Sequence, residues 1–134
     1  MFGSKKGSKP QNRIDSLIGA GTRVEGNIAF SGGLRVDGEV HGNISSVEGP
    51  AGMLVISEQA RVEGEISVGH VVINGTVIGP VVAGESLELL PNAQVTGDVE
   101  YHRLEMQQGA VVQGRLVHRT SAKTIELKLA SNNG

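Results

Sequence analysis

Apolar and polar residues alternate in short runs along most of this chain, and the runs share one signature. Residues 87–99 read LELLPNAQVTGDV, and the same pattern returns at 16–28, 54–66 and 104–116. Each copy has two apolar positions, then Ala or Thr, then Val-x-Gly-x and Ile, Val or Leu. A period of two predicts β-strands, whereas the frequent Gly and the lack of i, i+3, i+4 spacing argue against helix. Self-similarity at a near-constant period predicts a solenoid.

Two related copies lie between these four, at 34–44 and 71–81, which makes six repeats. The steps between their starts are 18, 20, 17, 16 and 17 residues. Short strands, small residues at the bends and about 17 residues per turn predict an all-β fold, a single parallel β-helix of about six rungs. At about 4.8 Å per rung the rod would be about 29 Å long. The repeats start at Ser16, Leu34, Leu54, Val71, Leu87 and Leu104.

The repeat alignment also predicts which side chains stack inside the helix. The interior must be narrow, because aromatic residues make up only 2% of the chain and Val, Ile, Leu and Ala must fill it. Recurrent Gly is expected at the tight corners, where φ is positive or strands approach closely. The two predicted inward columns are Leu54, Val71, Leu87 and Leu104, and Ile56, Ile73, Leu89 and Met106.

The chain divides into three parts on composition. Residues 1–13 are rich in Lys, Ser and Gly and are predicted to be a disordered basic tail, and residues 14–118 form the β-helix domain. Residues 119–134 are predicted to be mostly disordered, although 124–129 alternate well enough to add one edge strand. The long step in the second repeat predicts a surface loop at 46–52.

Charge is distributed unevenly over these three parts. Residues 1–13 sum to +4, residues 14–118 to -8 and residues 119–134 to +2, which together give the net charge of -2. A folded body that is acidic is not typical of a nucleic-acid-binding protein, so no nucleic acid partner is expected. The absence of Cys fits a reducing compartment such as the cytoplasm. The sequence contains no apolar run of the roughly 18 residues that a membrane span needs.

No pattern that binds a cofactor or metal stands out in the sequence. There is no phosphate-binding loop of the form G-x-x-x-x-G-K-(S/T), so no nucleotide cofactor is expected. The four histidines are His41, His70, His102 and His118, and they hold different places in the repeat. We therefore predict no stacked ladder of metal ligands.

Two pairs of carboxylates are candidates for catalytic groups. Glu63 and Glu65, like Asp37 and Glu39, are two residues apart, which would place each pair on one side of a strand, about 6.5 to 7 Å apart. That separation overlaps the range of inverting glycosidases, so a polysaccharide-acting β-helix enzyme is one alternative function. The pairs also fit the outward half of an alternating pattern, and the chain lacks long loops to wall a substrate groove. A solvated face is the favoured interpretation.

A hexapeptide-repeat acyltransferase with a left-handed β-helix is a second alternative. Ile28, Leu34 and Val40 are indeed six residues apart. Steps of 16 and 17 residues, however, break the strict 18-residue rung that a hexad repeat requires.

The repeats from Ser16 to His118 resemble the bactofilins, a bacterial cytoskeletal family. The resemblance rests on the V-x-G-x-(I/V) units at 24–28, 36–40, 62–66, 73–77, 95–99 and 112–116. It implies a right-handed β-helix that is not an enzyme and that polymerises end to end, without nucleotide, into non-polar filaments. It also implies a place at the cytoplasmic face of the inner membrane and partners such as cell-wall enzymes or other scaffolded proteins. The last rung carries Leu116 and Val117 with no aromatic residue, so no terminal aromatic contact of the kind that some bactofilins use is assigned.

The ends of the predicted rod are the candidate polymer interface. Solenoids usually close their ends with polar caps, and no helix-forming cap precedes or follows these repeats. The predicted interface residues are Leu17, Ile18, Val24, Ile28 and Phe30 in the first rung and Met106, Val112, Leu116 and Val117 in the last.

The start of the chain is similar to the apolar-then-basic membrane-targeting segment of many bactofilins. Two apolar residues precede a cluster of lysines and one arginine, Arg13. Insertion of the apolar pair together with attraction of the basic residues to anionic headgroups would hold the chain on a membrane. The predicted membrane-binding residues are Met1, Phe2, Lys5, Lys6 and Lys9.

Overall fold

Fifteen short β-strands make up the part of the chain that the structure describes, residues 14–47 and 51–119 of a computed structural model. The strands are β1 Ser16–Ile18, β2 Arg23–Glu25, β3 Ile28–Phe30, β4 Gly33–Val36, β5 Glu39–His41, β6 Ile44–Ser46, β7 Met53–Ile56, β8 Arg61–Glu63, β9 Ile66–Ile73, β10 Thr76–Ile78, β11 Val81–Leu89, β12 Gln94–Thr96, β13 Val99–Met106, β14 Val111–Gln113 and β15 Leu116–His118.

Each turn of the chain passes through three faces, and all strand pairs are parallel between successive turns. The first face contains β1, β4, β7 and the C-terminal parts of β9, β11 and β13. The second face is the six-stranded sheet of β2, β5, β8, β10, β12 and β14. The third contains β3, β6, the N-terminal parts of β9, β11 and β13, and β15. The predicted parallel β-helix of six rungs is confirmed.

The register of the strands coincides with the repeat starts read from the sequence. Ser16 pairs with Leu34, Leu34 with Leu54, and Leu54 with Val71. Leu87 pairs with Val71 on one side and Leu104 on the other. Both predicted inward columns are therefore confirmed. The unequal steps are absorbed at the corners, which keeps the side chains in register on the flat faces.

The interior consists mainly of aliphatic side chains stacked in columns, with Phe30 as an aromatic member of the buried core. On the first face Val36, Ile56, Ile73 and Leu89 are each fully buried, and columns of Val and Ile on the other two faces are equally buried. No polar or charged residue is buried among the described residues. A β-branched or leucine side chain fills the narrow space without leaving a polar atom that needs a partner.

Backbone hydrogen bonds join the rungs beyond the strand ends as well. At the end of the first face, one N–H in each rung donates to a carbonyl of the rung before it, at 2.7 to 3.0 Å. These backbone groups are thus satisfied by the neighbouring rung, whereas a few turn contacts, such as that from the Thr22 N–H to the Gly19 carbonyl, lie within one rung. The carbonyls of this column are those of Ile18, Val36, Ile56, Ile73 and Leu89, and they accept from Asp37, Ser57, Asn74, Leu90 and Gln107.

A column of glycines forms the corner between the second and third faces, as the sequence predicts for its recurrent Gly. Gly97 has φ +138° there, and a Cβ on it would lie 2.6 Å from the carbonyl oxygen of Gly79 in the rung below. A side chain would therefore be strained both by its backbone conformation and by the close stacking. The column is Gly26, Gly42, Gly64, Gly79, Gly97 and Gly114.

The predicted loop at 46–52 lies at the corner between the third and first faces, after β6 ends at Ser46 and before β7 begins at Met53. Residues 48–50 within it are outside the described ranges. The predicted disordered segment 1–13 also lies outside them, as does the predicted segment 119–134 apart from Arg119, together with the expected edge strand at 124–129.

Replacing Gly97 by Ala should destabilise the β-helix by about 2 kcal/mol, because the added Cβ meets the Gly79 carbonyl and the positive φ is strained. Chemical unfolding of both proteins measures the difference. Gly84→Ala is the matched control, since a Cβ there has its nearest neighbour at 3.9 Å. Equal stability of the two variants would contradict the role of the glycine column.

Candidate functional site: the ends of the β-helix

The first rung leaves one end of the inward columns without a covering layer. Ile18, Val24 and Ile28 point inward, in register with residues of the second rung that are fully buried. They are themselves only partly buried, because among the described residues no rung lies over them. Phe30 is better covered, at 8% exposure. Leu17 differs from the other predicted interface residues of the first rung: it points outward, paired with Arg35, and is 60% exposed.

The last rung leaves the opposite end open in the same way. Met106, Val112 and Leu116 point inward, in register with residues of the fifth rung that are at most 1% exposed. Met106 and Leu116 are each 43% exposed. Val117 points outward in register with Glu100, so it lies on the side of the rod rather than on its end. Each end of the described rod therefore presents a small apolar surface that is bordered by unpaired strand edges.

Three rings cluster at the last rung, a feature that the sequence analysis missed. His118 is in register with Tyr101, and their ring centroids are 5.8 Å apart. The ring of His102 stacks on that of His118, at 6.1 Å and 18°. The two histidines hold different places in the repeat, as the sequence indicates, and the corner at His102 brings their rings together. If the repeat alignment is extended past the last signature, His118 falls in register with Tyr101, so that contact could have been predicted. The position of His102 could not, because it lies at a corner.

The predicted carboxylate pairs do not form. β8 ends at Glu63, Gly64 turns the corner, and β9 begins at Ile66, so Glu63 and Glu65 are not on one strand. Asp37 likewise lies at a corner, between the end of β4 and the start of β5 at Glu39. A corner between the two residues changes the direction of the chain, which removes the shared face that strand alternation predicted.

Two of these carboxylates are held in their ionised form. A hydrogen bond from the Ser57 hydroxyl, and then one from Arg35 at 2.8 Å, lower the pKa of Asp37. The pKa of Glu63 is lowered chiefly by the Arg61 guanidinium, whose Nε lies 2.8 Å from its carboxylate. A general acid of a glycosidase needs the opposite shift. At Asp37 and Glu63 the outer surface is therefore ion-paired, and neither carboxylate has the raised pKa that a general acid needs.

A shallow groove of about 390 Å³ runs along the corner between the first and second faces. Its charged residues include Arg35 and Asp37, which already pair with each other. Elsewhere on the rod His70 Nδ1 lies 2.8 Å from Ser86 Oγ, and burial lowers the pKa of His70. This contact joins neighbouring rungs. The groove is lined by Arg35, Asp37, Val55, Ile56, Ser57, Glu58, Gln59, Val72, Asn74 and Leu90.

Neither a cluster of metal ligands nor a membrane-spanning helix is found in residues 14–47 and 51–119. Over those ranges, His, Asp and Glu do not converge in groups of three that could hold a metal ion. No helix there has the length and hydropathy to cross a bilayer. The predicted membrane-binding residues Met1, Phe2, Lys5, Lys6 and Lys9 lie outside the described residues.

Comparison with known proteins decides the family. Residues 16–117 match the family profile described as "Bactofilin: Polymer-forming cytoskeletal". The chain belongs to the bactofilin family. Among curated bactofilins, it is 30% identical to Bactofilin BacO of Myxococcus xanthus (strain DK1622) over 102 residues, which cover 76% of this chain and 78% of BacO.

Two further bactofilins support the assignment. Identity to Bactofilin BacP of the same organism is 25% over 116 residues, or 87% of this chain and 47% of BacP. The fold matches the chain in a cryo-EM reconstruction of Thermus thermophilus bactofilin double helical filaments, with a TM-score of 0.69 and 32% identity. That match covers 78% of this chain and 99% of the other. The family is a polymer-forming cytoskeletal one, which favours a structural protein over the acyltransferase and polysaccharide-enzyme alternatives.

Proposed function

We propose that this bactofilin polymerises end to end through its two outer rungs, without nucleotide, into non-polar filaments at the cytoplasmic face of the membrane. There the filament serves as a scaffold for cell shape or for partners such as cell-wall enzymes. The observation that carries the proposal is that the inward columns continue to both ends of the described rod with partly exposed apolar side chains. The solved Thermus thermophilus relative forms filaments.

Burial of the two apolar ends supplies the driving force. Each large apolar side chain that becomes buried contributes roughly 1.5 to 3 kcal/mol, and at least three partly exposed ones point inward at each end. Backbone groups at the strand edges gain partners at the same time. Several such contributions outweigh the loss of translational and rotational freedom, although each junction is small.

Like ends can face each other in this arrangement, as a non-polar filament requires. The inward side chains at the first rung, Ile18, Val24 and Ile28, carry no charge, and neither do Met106 and Leu116 at the last. A junction with two-fold symmetry brings the same patch together from both chains, so an uncharged centre avoids repulsion. Two kinds of junction then alternate along the filament, one between first rungs and one between last rungs.

Replacing Leu116 by Arg should abolish filaments and leave the chain folded. The charge would be buried without a partner at the junction, which should raise the concentration needed for assembly at least about tenfold. Pelleting and light scattering measure assembly. Ser67→Arg adds the same charge to an exposed outward position on the third face and should assemble normally. Filaments of Leu116→Arg would show that the last rung is not a junction.

The same variant reports the polarity of the filament. In a non-polar filament Leu116→Arg should remain a dimer joined through its first rungs, and Ile28→Arg a dimer joined through its last rungs. Mixing the two should give no new species, because each intact end binds only its own kind. Sedimentation velocity distinguishes the results. Monomers that form a heterodimer on mixing would show instead that chains add head to tail.

Assembly should need neither nucleotide nor metal. The sequence lacks a phosphate-binding loop, and burial of apolar ends provides the driving force. The purified chain should therefore pellet in chelator without ATP or GTP, and with little dependence on salt, since apolar burial is not screened. A requirement for ATP or GTP in this sedimentation assay would contradict the mechanism.

Residues 1–13 are proposed to attach the filament to an anionic membrane. Their charge of +4 favours anionic headgroups by about 1 kcal/mol per basic residue, while the -8 of residues 14–118 opposes close approach. Insertion of Met1 and Phe2 adds roughly 1.5 to 3 kcal/mol each before the segment is ordered. A single chain should bind weakly, and a filament that carries many such segments should bind firmly.

Deletion of residues 2–9 should abolish co-sedimentation with anionic liposomes while filaments still form. Phe2→Ala should weaken binding, because the largest inserting side chain is lost, and Ser4→Ala in the same segment should not. Neutral liposomes control for the electrostatic part. If filaments that lack residues 2–9 pellet with anionic liposomes as well as the full chain does, this segment is not the anchor.

A further inference from the structure

The free end of the first face has a strand edge with room for one more strand. Arg103–Met106, the C-terminal half of β13, pairs with β11 on one side only. β15 covers just the first half of β13, Val99–Tyr101. No described strand lies on the outer edge of Arg103–Met106, and beside that edge Leu104 is only partly buried and Met106 is 43% exposed.

The column of backbone hydrogen bonds between successive rungs also stops before the last residue of its register, Met106. Five successive rungs accept an N–H from the following rung at the last inward residue of the first face, and the fifth such acceptor is Leu89. Met106 is the sixth residue of the same column, in register with Leu89. Its carbonyl lies where the next rung would donate, so the edge has both the apolar and the polar part of a binding surface for a strand.

The described chain ends beside this edge. The Arg119 N–H donates to the Tyr101 carbonyl at 2.7 Å, and His102 Nδ1 lies 3.1 Å from the Arg119 carbonyl oxygen. Arg119 therefore sits over the corner that leads into Arg103–Met106, with residues 120–134 still to follow. The chain needs only to turn that corner once more to reach the free edge.

Residues 124–128, Thr-Ile-Glu-Leu-Lys, carry the sequence of a first-face strand. Ile125-Glu126-Leu127 repeats the apolar-Glu-apolar pattern of 87–89 and of 104–106, which lie in register in the fifth and sixth rungs. Five residues separate His118 from Thr124. The same corner already holds six residues between Ser46 and Met53, so the connection is of a length that this β-helix accommodates.

We propose that Thr124–Lys128 docks on the free edge of β13 as the first strand of an incomplete seventh rung. Ile125 then covers Leu104, Leu127 covers Met106, and the Lys128 N–H reaches the Met106 carbonyl. In the unassembled chain this segment competes with a second copy for the last rung. The competition rests on the proposed function, because it presumes that the last rung is a polymer junction.

The proposed pairing of Thr124–Lys128 with β13 is weak enough for a second chain to displace it. It covers the first-face part of the end and leaves Val112 and Leu116 open. Glu126 would extend an outward column in which Glu88 and Glu105 already lie in register, and like charges in adjacent strands weaken pairing. A whole second rod covers all three faces and therefore replaces a five-residue strand once the concentration is high enough.

Cross-linking tests the dock directly, because the chain has no Cys of its own. Glu105→Cys with Glu126→Cys places two thiols on adjacent parallel strands in register, within the Cα separation of a disulfide. Below the assembly concentration, mild oxidation should join them within one chain. Glu105→Cys with Ser131→Cys is the control and should react far less. Equal reaction of the two pairs, or none in either, would overturn the dock.

Removal of residues 121–134 tests the competition. A dock occupied in at least half of the free chains should raise the concentration needed for assembly at least about twofold, so the truncated chain should assemble at a correspondingly lower concentration. Ile125→Asp should act like the truncation, and Ser131→Asp should not. An unchanged or higher assembly concentration for the truncated chain overturns the competition. If neither chain assembles, the proposed function fails, whereas the cross-link still reports the dock.

Discussion

Every rung of this β-helix depends on the rung before and after it for its backbone hydrogen bonds. The strands pair only between turns, and even the corners donate from one turn to the next. The carbonyl of Leu89, for example, is satisfied only because Gln107 follows in the next rung. A structure built in this way has no internal end, so the two outer rungs must expose strand edges together with the apolar column beneath them.

Because of this constraint, the ends and the sides of the rod have different surfaces. Outward positions carry charges that pair across the surface, such as Arg61 with Glu63, and they keep the sides solvated. The inward positions hold no Asp, Glu, Lys or Arg from one end of the described rod to the other. In the proposed function, attraction between chains is therefore concentrated at the two ends, as suits a member of a polymer-forming family.

The flat faces could be predicted from the sequence, whereas at the corners the glycines could be predicted but the positions of the flanking side chains could not. Inward columns follow from counting repeats, because strand alternation fixes which side chains stack once the starts are aligned. The alternation would also have turned Leu17 outward, between two inward neighbours. Strand alternation does not continue through a corner. Gly64 separates Glu63 from Glu65, and the turn after Tyr101 brings the ring of His102 against that of His118. Corner geometry depends on positive φ and close stacking, which the pattern of apolar residues does not encode.

The central claim is that chains stack so that the rungs continue along the filament axis. Diffraction from aligned filaments, or the power spectrum of their electron images, tests it most directly. The account predicts an axial spacing of about 4.8 Å together with an axial repeat of about 58 Å, the length of two six-rung rods that face opposite ways. A 4.8 Å spacing perpendicular to the filament axis would contradict the account, because the rods would then associate through their sides.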